Sequence, residues 1–259
     1  MAQTVRIETD ARGVARLTLA RADKHNAMSA AMIDELTNAA RDLGSDQSVR
    51  AVIMAGAGKS FCAGGDLEWM RAQFDASRSE RIAEARRLAM MFKALNELPK
   101  PLIASVHGNV FGGGIGLISV CDWAVAAQTA RFGLTEVRLG LIPATISPYV
   151  VARIGASAAR PLFMSGRVFD AEQARAIGLV GSVVAADDLD SAVEAEASEF
   201  LAASPQAAAS AKALVRSLGA PITDEVIEDV VRRLADSWET PEARQGITNF
   251  FEMRKRNSL

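Results

Sequence analysis

Ser105-Val106-His107-Gly108-Asn109-Val110-Phe111-Gly112-Gly113-Gly114 runs from an apolar stretch into three adjacent glycines, with a second apolar stretch at 115–120. Glycine weakens the interior of a helix or a strand. Three in a row belong where the backbone itself must come close to something. A matching fragment lies upstream, Phe61-Cys62-Ala63-Gly64-Gly65-Asp66. Each fragment follows a predicted buried strand and precedes a predicted helix. A helix N-terminus carries unpaired N–H groups and a positive dipole end. Two such backbone sites converging on one oxygen would make an oxyanion hole. Taken singly, each fragment also reads as plain structure: a turn with Asp66 capping a helix from Leu67, and close packing of a helix on a strand.

Outward from these loops the pattern is α/β. Val5, Ile7 and Thr9 alternate, as do Ala15, Leu17 and Leu19, so a hairpin opens the chain. Ser29 is placed to cap a helix reaching residue 43. Buried strands are expected at 49–55, 102–106 and 121–126, and a long helix at 77–98, stopped by Pro99 and Pro101. Strand, glycine loop and helix repeat, which implies buried parallel strands. Past Ser147 helices dominate, at 147–154, 156–164, 171–176, 189–202, 205–218, 222–237 and 241–254, with one strand-like segment at 180–184. The expected division is an α/β core over 1–195 and a C-terminal helical region over 196–259.

Composition limits the partners. The chain has 259 residues, is 49% hydrophobic and carries a net charge of −2. Nothing basic enough for nucleic acid is present, and Arg254, Lys255 and Arg256 read as a solvated end. Cys62 and Cys121 are expected to be free, buried thiols of a cytoplasmic protein. No apolar run reaches the length of a membrane span. With only His25 and His107, no metal site is expected.

The two glycine fragments and the stretch Phe132-Gly133-Leu134-Thr135-Glu136-Val137-Arg138-Leu139-Gly140-Leu141-Ile142-Pro143 resemble the enoyl-CoA hydratase/isomerase, or crotonase, superfamily. The similarity extends to Arg21-Ala22-Asp23-Lys24-His25-Asn26-Ala27, to residues 162–166 and 174–180, and to the terminal 250–256. The resemblance implies a spiral of β-β-α turns with a C-terminal helical region. It implies an acyl-CoA thioester substrate, no metal or redox cofactor, and assembly as a trimer or a dimer of trimers. It assigns the thioester oxygen to the backbone N–H groups of Gly65 and Gly113. Lys24, His25, Ala27, Ala63, Gly64, Gly65, Asp66, Leu67 and Pro143 would line the substrate and CoA site.

One departure bears on the chemistry. Family hydratases commonly carry a glutamate two residues after the triple glycine and a second one downstream. Here the first position is Gly116 and the second is Glu136. Hydration needs one group to activate water and one to protonate the α-carbon; an isomerase moves a proton with a single carboxylate. Glu136 among Phe132, Leu134, Leu139 and Leu141 would have a raised pKa through desolvation, although a residue there could also cap a turn or pair with Arg138. Tyr149, Ser147 or Thr145 could orient water, and His107 reads as a packed residue. Residues 136–155 resemble bacterial hydratases of branched or carboxylated enoyl-CoA, for which Arg138 or Arg131 could meet a distal carboxylate. Glu68 and Met253 stand where some members carry lysines near CoA, and Arg254 or Lys255 could substitute. Hydration of a 2-enoyl-CoA leads, with Δ3–Δ2 isomerisation and a non-catalytic binding role as rivals.

Overall fold

Val5 pairs with Leu19 in an antiparallel hairpin of β1 (Val5–Thr9) and β2 (Val14–Leu19), so the N-terminal alternation folds as expected. A computed structural model describes residues 3–256, with side chains as far as Met253. The Ser29 hydroxyl accepts from the Met32 N–H and starts α1 (Ala30–Ser45). There follow β3 (Ala51–Gly56), β4 (Ser60–Cys62), α2 (Leu67–Asp75) and α3 (Arg78–Asn96), the last opened by a reciprocal cap between Ser77 and Glu80. Next come β5 (Leu102–Val106), β6 (Asn109–Phe111), α4 (Gly113–Ser119), β7 (Trp123–Ala127) and β8 (Arg131–Gly133). A short 3-10 turn, Thr135–Leu139, leads to α5 (Ser147–Ser165), β9 (Val168–Asp170), α6 (Ala171–Ala176) and β10 (Ser182–Val184). Four helices complete the chain: α7 (Leu189–Ala202), α8 (Pro205–Leu218), α9 (Asp224–Trp238) and α10 (Pro241–Arg256).

The strands form two sheets. The larger has the order β1-β2-β3-β5-β7-β10 and is parallel from β2 onward. The smaller has the order β4-β6-β8-β9, with β4, β6 and β8 parallel and β9 antiparallel. Each turn of the chain places one strand in each sheet before a helix: β3 and β4, then β5 and β6, then β7 and β8. This is the expected β-β-α spiral with a C-terminal helical region. Fully buried Phe61, Phe92 and Phe132 fill the main core, and α7, continuous through residues 195 and 196, packs Leu189, Val193 and Ala197 on the large sheet.

The small sheet is the element that periodicity misses. Its strands are three residues long, too short to show alternation. The break between the helices expected at 147–154 and 156–164 is real. Gly155 has φ 73° inside α5, a non-helical value that kinks the helix. Among the described residues both cysteines are free and buried, and burial pushes each thiol up to about 12.

Candidate active site

The three central site residues follow three neighbouring strands of the small sheet. Gly65 comes just after β4, Gly113 just after β6 and Glu136 just after β8. All three therefore gather at the carboxyl ends of parallel strands, the edge where open α/β sheets commonly bind ligands. They line one cavity of about 1310 Å³, together with Lys24, His25, Ala27, Ala63, Gly64, Asp66, Leu67 and Pro143. The sequence-derived site residues are thus brought together in space.

The loops lock to each other through the backbone. The Gly112 N–H donates to the Gly133 carbonyl at 3.0 Å, tying the end of β6 to the end of β8. The Ile115 and Gly116 N–H groups donate to the Gly112 carbonyl. Gly113 is the first residue of α4, and N–H groups of a first turn have no acceptor within the helix. On the other loop the Met28 N–H donates to Gly64 (2.8 Å) and the Asp66 N–H to Met28 (3.0 Å), a parallel bridge centred on Gly65. In such a bridge the N–H of the central residue points away from the partner strand. The Gly65 and Gly113 N–H groups are therefore both left over from the loop bonding.

Close approach explains the triple glycine. Gly112 has φ 50°, and a Cβ there would sit 2.9 Å from Glu136 Oε1. A Cβ on Gly114 would lie 2.6 Å from the Cys62 carbonyl oxygen, and one on Gly113 would run into Met28 Cε. Side chains here would push the Glu136 carboxyl, β4 and Met28 away from one another.

One oxygen of the Glu136 carboxyl has no partner: Oε2 is buried with no hydrogen-bond partner among the described residues. Burial drives the Glu136 pKa up to about 7, since desolvation disfavours the charged form. Near neutral pH this group holds and releases a proton with similar ease, the property a proton shuttle requires.

Gly116 shows what became of the first carboxylate position. A Cβ on Gly116 would lie 2.4 Å from Ile146 Cγ2 and 2.9 Å from Phe92 Cε1. Ile146 and Phe92 are themselves buried. The position is therefore covered by side chains and has no room even for a methyl group.

The possible assistants separate. Thr145 is buried and lines the cavity, as does exposed Arg138. Tyr149 does not reach it. Its ring lies 6.0 Å from that of Phe92, and it borders a second cavity of about 450 Å³ beside Arg153 and Lys212. Ser147 is occupied, donating to the Ala144 carbonyl at 2.7 Å. His107 bonds the Gly58 carbonyl at 2.9 Å, in keeping with a packed role. Arg131 is exposed and outside the cavity lining. The side chains of Arg254 and Lys255 fall outside the described residues.

Two residues beneath the site lie in the segment that carries the resemblance, yet the sequence reading assigns neither a role of its own. Asn26, fully buried at φ 54°, accepts from the Arg21 N–H and donates to the Ala57 and Ser60 carbonyls. It pins the Lys24–Ala27 loop to the strand pair β3 and β4. Arg21 pairs with Asp66 at 2.9 Å, both largely buried, while Asp66 also caps α2 through the Glu68 and Trp69 N–H groups. Asp66 is therefore committed to its loop although it borders the cavity. The available signal was Asn26 itself, a residue that tolerates the left-handed conformation, in a glycine-free turn. Lys24 and Glu68 stand 3.8 Å apart at the rim, both well exposed, a pair worth little in water.

A spiral of paired strands with two spare backbone N–H groups and a buried carboxyl oxygen around one cavity fits an acyl-thioester enzyme of the crotonase type. The chain belongs to the enoyl-CoA hydratase/isomerase family, whose profile matches residues 9–258. It is 32% identical to enoyl-CoA hydratase AKT6-1 of Alternaria alternata, over 94% of this chain and 80% of that one. Among solved structures, an enoyl-CoA hydratase from Shewanella pealeana is 36% identical with a TM-score of 0.81, covering 96% of this chain and 94% of that one. One from Mycobacterium avium is 34% identical with a TM-score of 0.84, covering 98% of both. Pseudomonas aeruginosa AtuE is 36% identical with a TM-score of 0.80, covering 96% of this chain and 97% of that one.

Proposed function

We propose that this enzyme adds water reversibly to a 2-enoyl-CoA, with Glu136 as the sole proton-transfer carboxylate. The observation that carries this reading is the unpartnered Glu136 Oε2, in one cavity with the Gly65 and Gly113 backbone. Ionised Glu136 takes a proton from water, and the hydroxyl oxygen bonds to the β-carbon. Electrons of the double bond move onto the thioester oxygen, where the Gly65 and Gly113 N–H groups receive the negative charge. Glu136 then returns the proton to the α-carbon and the thioester carbonyl re-forms. Each backbone donor in such a hole is worth on the order of 10² to 10³ in rate. Lys24, His25, Ala27, Ala63, Gly64, Asp66, Leu67 and Pro143 form the binding surface for the thioester and the CoA moiety. A branched or carboxylated acyl chain fits the resemblance of residues 136–155, and Arg138, one of the cationic side chains lining the cavity, would meet its carboxylate.

A second reading has its own observation. The covered Gly116 position leaves one carboxylate, which suffices for Δ3–Δ2 isomerisation. Turnover of a 2-enoyl-CoA and a 3-enoyl-CoA in water enriched in heavy oxygen separates the two. Oxygen incorporation supports hydration; double-bond migration without incorporation rejects it. Under either reading Glu136→Gln lowers kcat roughly 10²- to 10⁴-fold. Unchanged turnover would remove Glu136 from the mechanism.

A further inference from the structure

The 3-10 turn that carries Glu136 is met by α10 backbone to backbone. Gly140 ends that turn at φ 75°, and a Cβ there would lie 2.5 Å from the Ala243 nitrogen and 2.6 Å from the Glu242 carbonyl carbon. One turn along the helix, a Cβ on Gly246 would lie 2.6 Å from the Leu139 carbonyl oxygen and 2.7 Å from its carbon. The obstacles at both positions are main-chain atoms, which cannot rotate aside. Around this contact Ala243 and Ile247 pack with Leu141 and Trp238, joined by Met70, Phe74, Leu139 and Phe251. Met70 and Phe74 lie on α2, directly after Gly65. The same helix thus touches the Glu136 turn on one side and the helix following the Gly65 loop on the other. Beyond the contact, α10 presents Asn249 and Met253 to the cavity. The Glu136 carbonyl also accepts from the Leu141 N–H at 3.1 Å, so displacement of residues 139–141 is transmitted to Glu136 through the turn.

We propose that Gly140 and Gly246 are positioning residues: they let α10 seat directly on the Glu136 turn, and this seating fixes where the Glu136 carboxyl lies against the Gly112–Gly113 backbone. The proposal rests on Glu136 being the proton-transfer group. Gly246 is otherwise a poor choice within α10, where alanine has the higher helix propensity. If the contact did nothing, Gly246→Ala would leave turnover unchanged and the helix firmer.

The test compares Gly246→Ala and Gly140→Ala with the exposed control Thr248→Ala, measuring kcat, KM and the pH dependence of kcat per folded site. The expected result for Gly246→Ala is a tenfold or greater fall in kcat and a change in KM under threefold. The acidic limb of its pH profile moves to lower pH, because a displaced turn lets water reach Glu136. Gly140→Ala gives the same pattern from the opposite side of the contact, and Thr248→Ala matches wild type. Wild-type kcat and an unmoved limb in Gly246→Ala overturn the proposal, as does a loss of kcat with no change in the limb. Glu136→Gln run alongside keeps the two ideas apart. If it turns over normally, the functional reading fails; if it is inactive while Gly246→Ala behaves as wild type, only the positioning role fails.

Discussion

At the scale of single residues, Glu136 couples stability to pH. Its pKa rises from an ordinary 4.5 to about 7 because its carboxyl is buried, which outweighs the lowering hydrogen bond to its own backbone. The fold therefore favours the protonated form. The contribution is complete below pH 4.5 and is lost as pH rises through about 7. The rise from 4.5 to about 7 corresponds to roughly 3 kcal/mol between the two ends of that window. Glu136→Gln keeps the shape and removes the ionisation. Its thermal midpoint should exceed that of wild type at pH 8 and approach it at pH 5. Under the proposed hydration, catalysis runs the other way: kcat should climb as pH rises through 7, because proton abstraction from water needs the carboxylate. A stability difference that does not vary with pH would contradict the desolvated state of this carboxyl. Asn26 is the second residue of consequence. Asn26→Ala strands the Arg21 N–H and two carbonyls. It should cost about 2 to 3 kcal/mol in denaturant unfolding, with a higher KM as the Lys24–Ala27 loop loosens.

At the scale of elements, α4 packs against α3 and the start of α5 so closely that the space around Gly116 is filled. Gly116 lies on α4, and Ile146 immediately precedes α5. Gly116→Ala gains about 1 kcal/mol of helix propensity, but it drives a methyl group into Ile146 and Phe92, both held by the core. Overpacking of this kind costs about 1 to 3 kcal/mol, so a net loss is expected. Adding Ile146→Ala removes the nearest atom and should recover part of it, giving a favourable coupling in a double-mutant cycle. Strict additivity of the two changes would mean that the contact is not the cause. Much of this element layout was legible beforehand. Ser29 announced its helix, the prolines at 99 and 101 marked the end of α3, and Gly155 marked a real interruption in α5. The four strands of the small sheet were not legible, because three residues carry no period; pairing with neighbours, and not local propensity, makes them strands.

At the scale of the whole molecule, one helix is left partly without a core. α8 has no buried residue, and Leu214, Val215 and Leu218 are 58%, 71% and 79% exposed. Contiguous exposed apolar groups on a folded chain mark association surfaces. This fits the trimer or dimer of trimers that the family resemblance implies. Sedimentation should show an oligomer of the 27.5 kDa chain, and Leu218→Asp with Val215→Asp should shift it toward monomer. A monomer in the unsubstituted protein, or an oligomer indifferent to both changes, would assign the surface another use.

What the chain determined alone was the chemistry on offer. Glycine at 112–114 and at 64 specifies backbone where a side chain would clash or be strained, and a glutamate set among apolar residues specifies a carboxyl that resists ionisation. Those properties are local, so order and spacing suffice to state them. What only the tertiary structure decided was their meeting. Gly65, Gly113 and Glu136 become neighbours because β4, β6 and β8 lie side by side, and that pairing joins residues far apart in the chain. The closure of the Gly116 position by Ile146 and Phe92, and the seating of α10 on the Glu136 turn, are likewise facts of packing. They depend on which atoms share a volume, and shared volume across distant segments leaves no periodic mark in sequence.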